Sequence, residues 1–273
     1  MQAALVNGTR CADGSNVIPI GDENRTVRVP LMTYALLVVI FAAWFLAQGA
    51  GFDATALIVS VCNLGLVPGE LTGQAPVGTG IQIAEGVACV VDRDPINWLT
   101  PLTSMFLHGG WGHLLGNCVF LWVFGNNVED SMGRLRFLLF YVICGLAAAA
   151  AQMAVEPSSP VPMVGASGAI SGVLGGYLLL YPRVRVKVLL ILFIFIQVVR
   201  VPAFVVLLLW IGYQVLLGLP QLMAINPEAS SGVAVFAHIG GFVAGLLLVK
   251  LFARRDYIAE HRRLGASQLQ WSR

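Results

Sequence analysis

Apolar runs separated by short polar joints dominate the chain. Residues 29–47 read VPLMTYALLVVIFAAWFLA, long enough at 1.5 Å per helical residue to cross a hydrocarbon layer about 30 Å thick. A second run near residues 113–124 carries a His and an Asn, a third covers 136–155, and a fourth, 167–181, is short and glycine-rich. Residues 188–199 are apolar for only about a dozen positions before Arg200 and Pro202 interrupt; 202–219 and 233–252 follow. The pattern alone admits six or seven spans.

Composition fixes the solvent. Hydrophobic residues make up 58% of the 273 and charged ones 11%, against roughly 25% charge in soluble domains. With a mean hydropathy of +0.81, this excludes soluble and disordered classes and leaves a multi-pass membrane protein. Lys and Arg in short loops mark the cytoplasmic side. With six spans and an inside N-terminus, all 16 basic residues except Arg93 fall inside. A seventh span at 188–199 would be too short and would put the basic tail outside. The expected fold is therefore an all-α bundle of six transmembrane helices with both termini cytoplasmic, 188–199 being an interfacial or re-entrant stretch. Residues 1–28 form a cytoplasmic segment, 29–252 the membrane domain and 253–273 a basic tail. Outer segments are a first loop of about 60 residues, then 156–166 and 220–232. No apolar core precedes Val29, so no cleavable signal peptide is expected and span one serves for targeting. Cys62 and Cys89 share the outer loop, where a disulfide and two free thiols are both open readings.

Polar side chains within spans are costly and so are functional candidates. They are His108, His113, Asn117, Ser167, Ser171, Gln214 and His238; no span interior holds Asp, Glu or Lys. That disfavours carboxylate proton relays and aspartyl intramembrane proteolysis. The absence of H-E-x-x-H, with His108 and His113 on different helical faces, disfavours a zinc protease.

Ser167 in GASG at the start of span four reads locally as an N-cap. If span four ends near Tyr181 on the inner side, however, its length of about 22 Å sinks Ser167 about 8 Å below the outer edge of the core. His238, about five residues into span six, lies at roughly the same depth. Gly168, Gly172 and Gly176 on span four and Gly241 and Gly245 on span six offer faces for close backbone approach. Together these suggest a hydroxyl activated by an imidazole. His113 and Asn117, at i and i+4, share a face of span two as oxyanion donors or as helix-to-helix polar glue.

These residues resemble the rhomboid family of intramembrane serine proteases. HGGWGHLLGN (108–117), FGNNVEDSMGRLRFLLFYVICG (124–145), GASGAISG (165–172) and AHIGGFVAG (237–245) carry the likeness, and IPIGDENRT before span one looks like bacterial members. The resemblance implies Ser167 as nucleophile, His238 as general base, and His113 and Asn117 as the oxyanion-stabilising pair. It further implies no metal or other cofactor, a site open to the extracytoplasmic side of a bacterial plasma membrane, and single-pass membrane proteins as substrates. No nucleic-acid partner is expected, and oligomeric state is left unassigned. Two departures stand out. Ser171 occupies the place where some members carry a Tyr stacked on the catalytic His, and Leu99-Thr100 replace a frequent Trp-Arg pair, so the first outer loop must be anchored differently. The rival classes are a client-helix binding protein and a small-solute transporter.

Overall fold

A computed structural model describes residues 17–84, 87–92, 96–192, 195–222, 234–261 and 263. Cys11, Arg10, Arg93, most of the 220–232 loop and the end of the basic tail lie outside the described residues.

Strand β1 (Val17–Asp22) precedes helix α1 (Leu31–Leu46). The outer loop follows, with helices α2 (Ala54–Leu64) and α3 (Pro68–Leu71) and strands β2 (Gly80–Ala84) and β3 (Val87–Val90), before the short α4 (Thr100–Thr103). Helices α5 (Trp111–Phe120) and α6 (Asn126–Met132) form one continuous segment through a π-helical turn at Leu121–Gly125. Then come α7 (Arg134–Val155), α8 (Ser167–Leu180), β4 (Arg185–Leu192), β5 (Phe195–Pro202), α9 (Ala203–Leu222) and α10 (Val235–Phe252). Each of the six expected runs is thus helical. Among the described residues, three helices, α7, α9 and α10, are long and apolar enough to cross a membrane.

The all-α expectation needs correction: the fold is mostly helical, with two antiparallel sheets among the described residues. The expected interfacial or re-entrant stretch is built of strands: residues 188–192 and 195–199 belong to a sheet of order β1-β4-β5. In R-V-K-V and V-V-R-V the side chains alternate. Val186 and Val188 are buried in the core and Arg185 and Arg200 face out, the period-two pattern of a half-buried strand. β1 pairs with β4 and β5 pairs with β4 from the other side, satisfying backbone groups that so short an apolar stretch cannot satisfy as a helix end.

The first outer loop is ordered by covalent and polar ties. Cys62 and Cys89 form a disulfide, their Cα atoms 5.3 Å apart. The Thr103 hydroxyl donates to Leu64 O at 2.7 Å, Gly69 N–H to Ser159 O at 2.8 Å, and Leu66 pairs with Met163. These contacts anchor the loop where Leu99-Thr100 stand.

α8 packs against both α7 and α10, which also pack against each other. A Cβ added at Gly241 would lie 2.0 Å from Gly168 O, and one at Gly245 2.0 Å from Gly172 O. A Cβ on Gly172 would meet Cys144 of α7 at 2.3 Å. Glycines on both helices therefore let the two backbones touch, as expected of small-residue faces. Gly176 departs from that row: its nearest neighbours are the Phe140 ring and Val249.

Candidate active site

The tight α8–α10 contact brings the first turns of both helices together. Ala166, not Ser167, occupies the N-cap of α8, and no side chain caps that helix. The Ser167 hydroxyl is left for another partner: its Oγ lies 2.8 Å from His238 Nε2. The N-terminus of α10 is fixed by the buried Gln152 of α7, whose Oε1 accepts the Ala237 N–H at 3.1 Å. His238 is itself buried, and its Nδ1 sits 3.0 Å from Gln214 Oε1 of α9.

Ser171, where the resemblance would place an aromatic, does not reach the imidazole. Its hydroxyl donates back to Ser167 O at 2.6 Å, a bond within α8. The aromatic contact comes instead from Trp210 of α9, whose ring centroid lies 5.8 Å from that of His238.

His113 and Asn117 face the same space from α5. An open cavity of about 620 Å³ is lined by His113, Asn117, Ser167, Trp210, Gln214 and His238 among others. The Gly109 N–H donates to His113 Nδ1 at 3.4 Å, which leaves the ring's N–H on Nε2. Gly165, at φ +129°, passes so near that an added Cβ would lie 2.7 Å from His113 Nε2 and 3.6 Å from Ser167 Oγ. Asn117 is buried, and its Nδ2 has no hydrogen-bond partner among the described residues. Among the described residues, the cavity therefore holds a hydroxyl paired with an imidazole together with the side-chain N–H donors of His113 and Asn117. Such a set is suited to acyl transfer, in which negative charge develops on a carbonyl oxygen.

His108 takes no part in this cavity's lining. Its backbone is held in both directions by the buried Gln48, with Gln48 Nε2 donating to His108 O and His108 N–H to Gln48 Oε1, each at 2.8 Å. Gln214 is the residue whose role the sequence left unassigned; the available signal was a lone amide inside an apolar run.

The family model for the Rhomboid domain matches residues 95–255, over half of the chain. The chain belongs to the rhomboid family. Membership makes it a membrane-embedded protein, in keeping with its composition. The matched segment of this rhomboid contains every cavity residue named above. Rhomboid protease GluP of Bacillus subtilis (strain 168) is 32% identical over 148 residues, covering 54% of this chain and 25% of that protein. From Arabidopsis thaliana, Rhomboid-like protein 11, chloroplastic, is 39% identical over 75 residues (28% of this chain, 26% of that one), and RHOMBOID-like protein 4 is 34% identical over 147 (54% and 32%). The matched stretches thus span a quarter to a third of these relatives' own lengths.

Proposed function

We propose that this rhomboid is an intramembrane serine endopeptidase that hydrolyses peptide bonds in or near transmembrane segments of single-pass membrane proteins. What supports the reading most directly is the 2.8 Å contact between Ser167 Oγ and His238 Nε2 within the cavity. His238 takes the hydroxyl proton as Ser167 Oγ attacks the substrate carbonyl. The oxyanion is held by His113 Nε2–H, Asn117 Nδ2–H and the Ser167 N–H at the head of α8. His238 then gives its proton to the leaving amine, and water, deprotonated by the same imidazole, hydrolyses the acyl-enzyme. No step calls for a metal or cofactor.

In this reading the six helical runs are six spans of a domain over residues 29–252, in a bacterial plasma membrane. The segment 1–28 and the basic tail 253–273 are cytoplasmic, which follows from the placement of Lys and Arg. The cavity then opens to the extracytoplasmic side, where hydrolytic water is available. Substrate enters laterally between α5 and α9, the latter being the least buried of the three long apolar helices.

The test uses purified protein in detergent or liposomes with a fluorescent single-pass substrate. Wild type is expected to cleave in the presence of chelator, while Ser167→Ala and His238→Ala each lose cleavage. Cleavage surviving Ser167→Ala would sink the assignment of the nucleophile, and its absence across a panel of substrates would favour client binding without proteolysis.

A further inference from the structure

A Ser-His pair does not by itself fix the imidazole, which has two tautomers and a freely turning ring. On α8, Ser171 contributes nothing to it, since its hydroxyl is committed to Ser167 O. Both contacts on the far side of the ring come from α9. The Trp210 ring lies beside the imidazole, with centroids 5.8 Å apart and planes tilted by 40°, and Gln214, one turn further on, presents its amide oxygen 3.0 Å from Nδ1. Gln214 is buried within a helix of which few residues are buried, a location where an amide is costly unless it is used.

The donor and acceptor inventory leaves little freedom. With the amide oxygen rather than the amide nitrogen turned toward the ring, Nδ1 carries the ring proton, because that oxygen only accepts. Nε2 is then the lone-pair nitrogen, and it can accept from the Ser167 hydroxyl at 2.8 Å. The opposite tautomer would set a lone pair against the Gln214 oxygen and an N–H against Ser167 Oγ, leaving no base for the hydroxyl.

We infer that Gln214 is a positioning residue: it accepts the Nδ1–H of His238 and thereby holds the imidazole in the one tautomer and orientation that can deprotonate Ser167. The inference rests on the proposed protease reading for its kinetic consequences. Because Gln214 and Trp210 both ride on α9, the base is oriented only while α9 is packed against α10. A displacement of α9 that widens the lateral opening releases His238, and re-docking of the helix restores it. Substrate admission and activation of the nucleophile are in this way linked through one amide.

The experiment is ¹⁵N NMR of full-length, histidine-labelled protein in micelles, beside kinetics of Gln214→Met and Gln214→Glu. The chain has four histidines, so the His238 signals are assigned by difference against His238→Ala. At neutral pH wild-type His238 is expected as the Nδ1–H tautomer. Gln214→Met, which keeps the length and loses the acceptor, is expected to show mixed tautomers and a kcat lowered about 10- to 10²-fold with KM nearly unchanged. Gln214→Glu, which restores an acceptor oxygen, is expected to recover the Nδ1–H tautomer and much of kcat. An Nε2–H or mixed tautomer in wild type overturns the inference, as does an unchanged kcat in Gln214→Met. Should Gln214→Met fail to fold, the wild-type spectrum decides. If wild type cleaves no substrate, the protease reading fails while the tautomer still tests the hydrogen bond.

Discussion

Gly165 crowds the oxyanion side of the proposed site. At its φ of +129° an L side chain is strained, and the added Cβ would fall 2.7 Å from both Cε1 and Nε2 of His113. Gly165→Ala should therefore push the His113 ring out of place while leaving the Ser167–His238 pair intact. The expected result is a kcat lower by about 10²-fold, comparable to removing one oxyanion donor. Because the two changes act through the same ring, Gly165→Ala combined with His113→Ala should be scarcely worse than His113→Ala alone. Full additivity in that double-mutant cycle would show that Gly165 acts elsewhere. Ser167 and His238 were legible because motif and depth coincided in the sequence. The donor state of His113 was not, since it depends on the Gly109 N–H reaching Nδ1. Gln214 was visible as a polar residue, but its partner lies 24 positions away on another helix.

At the level of elements, the α8–α10 contact sets the site. A Cβ on Gly241 would sit 2.0 Å from Gly168 O, and a backbone oxygen in a packed helix cannot turn aside as a side chain can. Gly241→Ala is thus expected to force the helices apart, costing about 1–3 kcal/mol from overpacking and lowering kcat at least tenfold by lengthening the Ser167–His238 contact. Gly212→Ala on α9, where nothing lies within 4 Å of the added Cβ, is the matched control and should change neither quantity much. Thermal midpoints in micelles and initial cleavage rates check both; equal effects of the two substitutions would refute the packing argument. The α1 helix shows what the sequence hides at this scale. Its N-terminus lacks an acidic residue of its own and is served by Glu129 of α6, whose carboxylate accepts from Met32 N–H, Thr33 N–H and the Thr33 hydroxyl at 2.7–2.9 Å. Helical runs were read from length and apolarity. Strands β4 and β5 are hidden at this scale because an apolar run of that length resembles a short helix, and only the alternation of Arg, Val and Lys distinguishes it.

Across the whole molecule, the end of α8 remote from Ser167 is tied to the N-terminal strand. The 14 residues of α8 put that end about 20 Å from the hydroxyl. There the Tyr177 hydroxyl donates to Asp22 Oδ2 at 2.6 Å and Asn127 Nδ2 to the same oxygen at 2.8 Å. Nearby, Asp130 accepts from the Val27 and Arg28 amides and pairs with His261, which also meets Asn24. Burial pushes the Asp22 carboxyl up to about 6, against the lowering influence of Tyr177 and the Asn24 N–H. A carboxyl whose folded pKa lies above its unfolded one contributes stability in its protonated form, present in full below about pH 4 and lost as pH rises through about 6. Asp130 has the opposite sign: burial would raise it, but the His261 contact and the two amides hold it below its ordinary value, so its contribution is lost only at more acid pH. Between pH 4 and 6.5 wild type should therefore lose about 2–3 kcal/mol relative to Asp22→Asn, with the cleavage profile of the variant unchanged. A constant difference in melting midpoint across that window would refute the account. Sequence alone determined the membrane solvent, the six helical runs and the motifs bearing Ser167, His238, His113 and Asn117, because apolarity, period and spacing are local properties of the chain. Tertiary structure decided the three-stranded sheet, the Cys62–Cys89 pairing, the replacement of an α8 aromatic by Trp210, and the place of Gln214 behind His238. Each of those joins positions far apart in the chain, and only close packing of helix on helix selects which distant groups come within hydrogen-bonding reach.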